Sequence, residues 1–108
     1  MENLKPFING QYVESKSEKF NRIFDPSTGE QIAQVPTCTK EEVECAIAAA
    51  KAAYPAWSAT PVRKRAQLML KLRELIVRDM ESLTLLCATE NGKNLAEAAG
   101  DVGKALEM

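Results

Sequence analysis

The chain has 108 residues, 45% apolar and 27% charged, which is the balance and length of one small globular domain or of a piece of a larger one. Fourteen Lys and Arg against fifteen Asp and Glu leave a net charge of −1, which excludes a polybasic membrane anchor and predicts no nucleic-acid partner. There is no histidine, so the commonest metal ligand, the commonest general base and every Ser-His or Cys-His dyad are absent.

The first third carries the turn-formers. Asn9-Gly10 sits between Phe7-Ile8 and Gln11-Tyr12-Val13. Both turn residues tolerate positive φ, as a type I′ turn requires, so a hairpin is predicted here. A polar run, Glu14 to Lys19, reads as an exposed loop. Phe20–Phe24 reads as a strand, Asp25-Pro26-Ser27-Thr28-Gly29-Glu30 as a turn, and Gln31–Val35 as a second strand ended by Pro36. Hairpins this short are marginal in water and need another surface to lie on.

From Thr39 the period becomes helical. Thr39-Lys40-Glu41-Glu42 has the form of a capping box, and Val43, Ile47, Ala50 and Tyr54 then share one stripe. Pro55 is expected to end this helix and to leave Trp57 in a loop, packed on the core. Thr60 is expected to cap a second helix with Pro61 at its first position. Leu68, Leu72, Leu75 and Ile76 give that helix an apolar face, and Arg63-Lys64-Arg65 reads as a solvated basic face. A third helix restarts at Asp79, turns Leu83, Leu86 and Cys87 inward, and stops at Asn91-Gly92. Asn94-Leu95-Ala96-Glu97 has the form of a second capping box and opens a fourth helix.

In that fourth helix Ala96, Gly100 and Gly103 form a small, flat face, which predicts close packing by a neighbour. Lys104 to Met108 carry no stop signal, so the pattern predicts a truncated chain.

Little chemistry is visible. There is no Gly-x-Gly-x-x-Gly, and Gly100-Asp101-Val102-Gly103 follows no strand. Glu41 and Glu42 are adjacent and diverge on a helix, and no three side chains have metal-ligand spacing. Cys38, Cys45 and Cys87 are odd in number and widely spaced, which predicts reduced thiols in a cytoplasmic protein. No apolar run approaches the roughly 20 residues of a membrane span. The start, Met1 to Pro6, lacks the features of a signal peptide.

An ordered series of segments carries a resemblance. Pro6–Ser17 resembles the opening of methylmalonate-semialdehyde dehydrogenases. Asp25-Pro26-Ser27-Thr28-Gly29-Glu30 is similar to the Asn-Pro-Ala-Thr-Gly-Glu turn of aldehyde dehydrogenases, with Asp for the usual Asn. Val35-Pro36, Thr39–Val43, Ala46–Tyr54, Pro55–Ser58, Glu90–Lys93 and Gly100–Gly103 continue the match in order, so it covers essentially the whole chain.

The resemblance implies an α+β chain: short N-terminal β-hairpins over residues 1–36, then about four helices over residues 39–108. These would be the opening segment of an aldehyde-dehydrogenase-type α/β, Rossmann-like fold. It implies one incomplete domain, 1–108, belonging to the NAD-binding domain, without the catalytic and oligomerisation domains. The implied parent is NAD-dependent and CoA-acylating, turns a semialdehyde into an acyl-CoA, and is a homo-oligomer. The implied partner of this chain is the rest of that polypeptide. Alone it is expected to bind neither NAD nor CoA and to be inactive.

The family's nucleophilic cysteine follows a Gly-Gln-x context, which none of Cys38, Cys45 and Cys87 has, so no catalytic, cofactor-binding or metal residue is assigned. One substrate-binding position carries over. In the methylmalonate-semialdehyde branch an arginine after the Gly-(Asp/Glu)-Val-(Gly/Phe) run faces the substrate carboxylate, and Lys104 holds that place here. Lysine keeps the charge but lacks the bidentate fork, and the alternative reading of Lys104 is a solvated helix lysine. The alternative to an enzyme segment is a stand-alone helical protein-binding module that uses the Ala96/Gly100/Gly103 face.

Overall fold

A computed structural model describes residues 2–108. It divides into two compact units, residues 2–24 with 31–60, and residues 25–30 with 61–108. The elements are the α+β set expected from the resemblance, short strands and then four helices.

In the first unit a three-stranded sheet has the order β1 (Glu2–Asn3), β5 (Gln31–Pro36), β4 (Phe20–Phe24). β4 runs antiparallel to β5, and β1 runs parallel to it, with Glu2 opposite Ala33. Ala33, on the central strand, is buried, and a small side chain suits a position flanked on both sides. β1 was not foreseen, because a two-residue parallel pairing leaves no periodicity to read. β2 (Phe7–Ile8) and β3 (Gln11–Tyr12) form the expected hairpin. Asn9 and Gly10 have φ of 52° and 78°, and the rings of Phe7 and Tyr12 meet across the pair in a tilted contact, 5.0 Å between centroids.

The unit ends in α1 (Lys40–Ala59), which corrects two expectations. Pro55 lies inside this helix and does not end it, and Trp57 is therefore helical and 41% exposed, not a loop anchor in a core. Proline deprives the Lys51 carbonyl of its donor. Lys51 and Pro55 are both exposed, so water can satisfy that carbonyl and the helix continues. The end of the helix then falls to Thr60, whose hydroxyl donates to the Ala56 carbonyl at 2.8 Å. Thr60 is thus the C-cap of α1, not the N-cap of the next helix, and Pro61 takes that cap position without a side-chain bond.

The second unit holds α2 (Val62–Arg78), α3 (Met80–Asn91) and α4 (Leu95–Glu107). Asp79 separates α2 from α3 but does not cap α3, because Arg78 holds both of its oxygens, at 2.9 and 2.8 Å. Gly92 ends α3 in the left-handed region at φ 65°, and the Asn94 side chain accepts from the Glu97 amide at 2.9 Å to start α4. Only this half of the second capping box forms. The turn 25–30 belongs to this unit, closed by Gly29 donating to the Asp25 carbonyl at 2.8 Å.

Ala98 on α4 is completely buried, but few large side chains join it. Leu86, expected inward, is 57% exposed, and Val62, Leu68, Met69, Leu70, Leu72, Leu85 and Leu95 are exposed as well. On α1 the stripe of Val43, Ile47 and Tyr54 is equally open. Apolar surface of this extent marks a face built for contact.

Candidate functional site

Lys104, the one position carried over from the resemblance, is exposed on the last turn of α4. A cation is favoured there by the negative end of the helix dipole. One turn earlier, Asp101 forms an ion pair with Lys93 from the turn between α3 and α4. The Lys93 ammonium, by hydrogen bond and charge, holds the Asp101 carboxyl below the usual range, and the Lys104 charge acts in the same direction. Lys93 is in turn raised, chiefly by its hydrogen bond to Asp101. Asp101 is thereby committed to Lys93, and Lys104 takes part in no ion pair among the described residues. A β-carbon placed on Gly100 or Gly103 would meet nothing within 4 Å, so no described residue packs directly on these two glycines beside Lys104.

A second cluster lies at the start of α1. Thr39 and Glu42 complete the capping box, with bonds of 3.3 and 3.1 Å. Glu42 also accepts from the Ser15 hydroxyl at 2.7 Å and from the Lys16 amide at 2.6 Å. The Lys16 amide, then the Ser15 hydroxyl, the Thr39 amide and the Cys38 thiol hold its carboxyl below the ordinary range against the effect of burial. The sequence marks Glu42 as a capping residue, but its partners 26 and 27 positions away leave no local signal.

The cysteines are dispersed. Cys38 is half-buried beside Glu42, Cys45 is exposed on α1, and Cys87 is half-buried on α3, where the Asn91 amide approaches its sulfur at 3.9 Å. No group of three or more potential metal ligands occurs among the described residues. Arg63 and Lys64 are exposed, as a solvated face requires, and Arg65 is half-buried. No described helix is long and apolar enough to cross a membrane.

A nucleotide cofactor does not fit these residues. The passage from β5 into α1, Thr37-Cys38-Thr39, contains no glycine, and Glu42 sets a carboxylate against the first-turn amides of α1. A pyrophosphate needs that place open and free of negative charge.

The family profile described as "Aldehyde dehydrogenase family" matches residues 12–108. The chain belongs to this family. It is 45% identical over 107 residues to malonate-semialdehyde dehydrogenase 2 of Oceanobacillus iheyensis, covering 99% of this chain and 22% of that protein. It is 43% identical over 105 residues to the acylating, mitochondrial methylmalonate-semialdehyde/malonate-semialdehyde dehydrogenase of Rattus norvegicus, covering 97% and 20%. The structure superposes on the methylmalonate-semialdehyde dehydrogenase of Oceanimonas doudoroffii with a TM-score of 0.92 at 34% identity, covering 99% and 22%. The chain thus spans about a fifth of the length of the curated relatives it matches.

Proposed function

We propose that the chain serves as the N-terminal structural segment of a cytoplasmic, NAD-dependent, CoA-acylating malonate- or methylmalonate-semialdehyde dehydrogenase, and that it is inactive alone. The observation that carries this reading is the match of nearly the whole chain to about a fifth of such enzymes. The residues are consistent with it: the chain holds no histidine to activate a thiol. Its helices also present apolar side chains that nothing within their own unit covers. On this reading residues 1–108 form part of the NAD-binding domain, and the remaining polypeptide of a homo-oligomeric enzyme covers those faces and supplies the nucleophile and the cofactor sites.

Within that enzyme we assign Lys104 to the carboxylate of the semialdehyde. Its ammonium is left available by the commitment of Asp101 to Lys93. A single ammonium makes a point contact where arginine would make a fork, so the carboxylate is held with less directional control. The test is direct. The purified 108-residue chain, supplied with malonate semialdehyde, NAD and CoA, is expected to form no NADH; turnover above the protein-free control overturns the assignment of the chemistry to the remaining polypeptide.

A further inference from the structure

The Glu42 carboxylate joins two stretches of chain that the sequence keeps apart. Three donors converge on it: the Ser15 hydroxyl, the Lys16 amide and the Thr39 amide. The Ser15 hydroxyl oxygen also accepts from the Ser17 amide at 3.1 Å, so Ser15, Lys16 and Ser17 are tied into one piece. That piece belongs to no strand or helix, and among the described residues its hydrogen bonds to α1 all go to this one side chain. Beside it lies an open groove of about 530 Å³ lined by Ile8, Val13, Lys16, Thr39 and Cys45 among others.

We propose that Ser15–Ser17 form a strap clipped to the first turn of α1 by the ionised carboxylate of Glu42, and that neutralising this carboxylate releases the strap and opens the groove it borders. A carboxylate accepts from every donor it meets, whereas a carboxylic acid or an amide must spend one face on a donor of its own. Three converging donors therefore select the anion. The surrounding charges do not compete for it. Glu14 on the strap is paired with Lys5, and Lys40 on α1 pairs with Glu44 at 3.8 Å. Glu41 and the Lys16 ammonium are exposed, and the remaining titratable neighbours are the Cys38 and Cys45 thiols. The Glu42 carboxyl is held below its ordinary value near 4.5, so the clip is fully closed above that pH and opens as pH falls through the lowered value.

The test is amide hydrogen exchange, read by NMR on the 108-residue chain. In Glu42→Gln at pH 7, the Lys16 and Ser17 amides are expected to exchange roughly tenfold faster or more, while amides in the middle of α3 keep their rates. Unchanged Lys16 exchange overturns the proposal. An equal rise throughout α3 also overturns it, because the strap would then open only with the whole fold. The wild-type chain provides a second reading without a substitution. Lys16 exchange, corrected for its intrinsic pH dependence, should rise with the same midpoint as the Glu42 carboxyl resonance and below 4.5. A flat profile through the Glu42 titration contradicts the clip.

Discussion

Gly92 and Pro26 touch across 66 residues of sequence: a β-carbon on Gly92 would lie 3.3 Å from the Pro26 β-carbon. The turn 25–30 thus rests on the end of α3, and the φ of 65° at Gly92 makes room for it. Two motifs of the family resemblance, Asp25–Glu30 and Glu90–Lys93, meet at this contact. Gly92→Ala meets both obstacles. The left-handed conformation alone costs about 1–2 kcal/mol, and the tight contact adds to it. Urea unfolding should show a loss above that figure for Gly92→Ala, and the loss should be smaller when the same substitution is made in a Pro26→Gly background, which lacks the opposing β-carbon.

Gly100 presents the opposite case. It is a helical glycine with normal φ and open space around it. Gly100→Ala should stabilise the 108-residue chain by about 1 kcal/mol, the usual gain in a helix interior. In a complete dehydrogenase, where the proposed partner surface lies against this face, the same substitution should lower stability or activity. Thermal melts of both forms check the reversal of sign.

The Asn94 cap supports α4 and with it the placement of Lys104. Asn94→Ala should cost about 1 kcal/mol of unfolding free energy, and Asn94→Ser should restore most of it. The capping bond at Glu97 has the geometry of a full cap, so urea titration of the three proteins should separate them in that order.

The Lys93–Asp101 pair carries a pH signature of two signs. Asp101 is lowered, so its contribution is present above its ordinary value of 3.8 and lost as pH falls through the lowered one. Lys93 is raised, so its contribution is present below 10.5 and lost as pH rises through the raised value. Lys93→Met should bring the Asp101 titration, followed by carboxyl NMR shifts, back up towards its ordinary value. Salt should do the same in part, because both side chains are accessible to solvent.

What could be read from the residues was what they decide locally. Asn9-Gly10, Thr39 with Glu42, Gly92 and Asn94 each fix a turn or a cap within four positions, the first three as expected and Asn94 with one half of its capping box. Pro55 and Thr60 were misread because helix continuation there depends on solvent reaching the Lys51 carbonyl and on the Thr60 hydroxyl choosing Ala56 over the next helix. β1 and the Ser15–Glu42 bond were illegible because both join residues more than 25 positions apart. Leu86 was misplaced for another reason: helical spacing shows which side chains share a face, but not whether this chain supplies what covers it.

The proposed role as the opening segment of a CoA-acylating semialdehyde dehydrogenase is tested most directly by a fusion in which residues 1–108 replace the matching stretch of the Oceanobacillus iheyensis relative. NADH formation from malonate semialdehyde should return, should require CoA, and should show a raised KM for the semialdehyde in Lys104→Met with kcat less affected. A fusion that folds and oxidises aldehydes without CoA, or that is folded and inactive, would contradict the account.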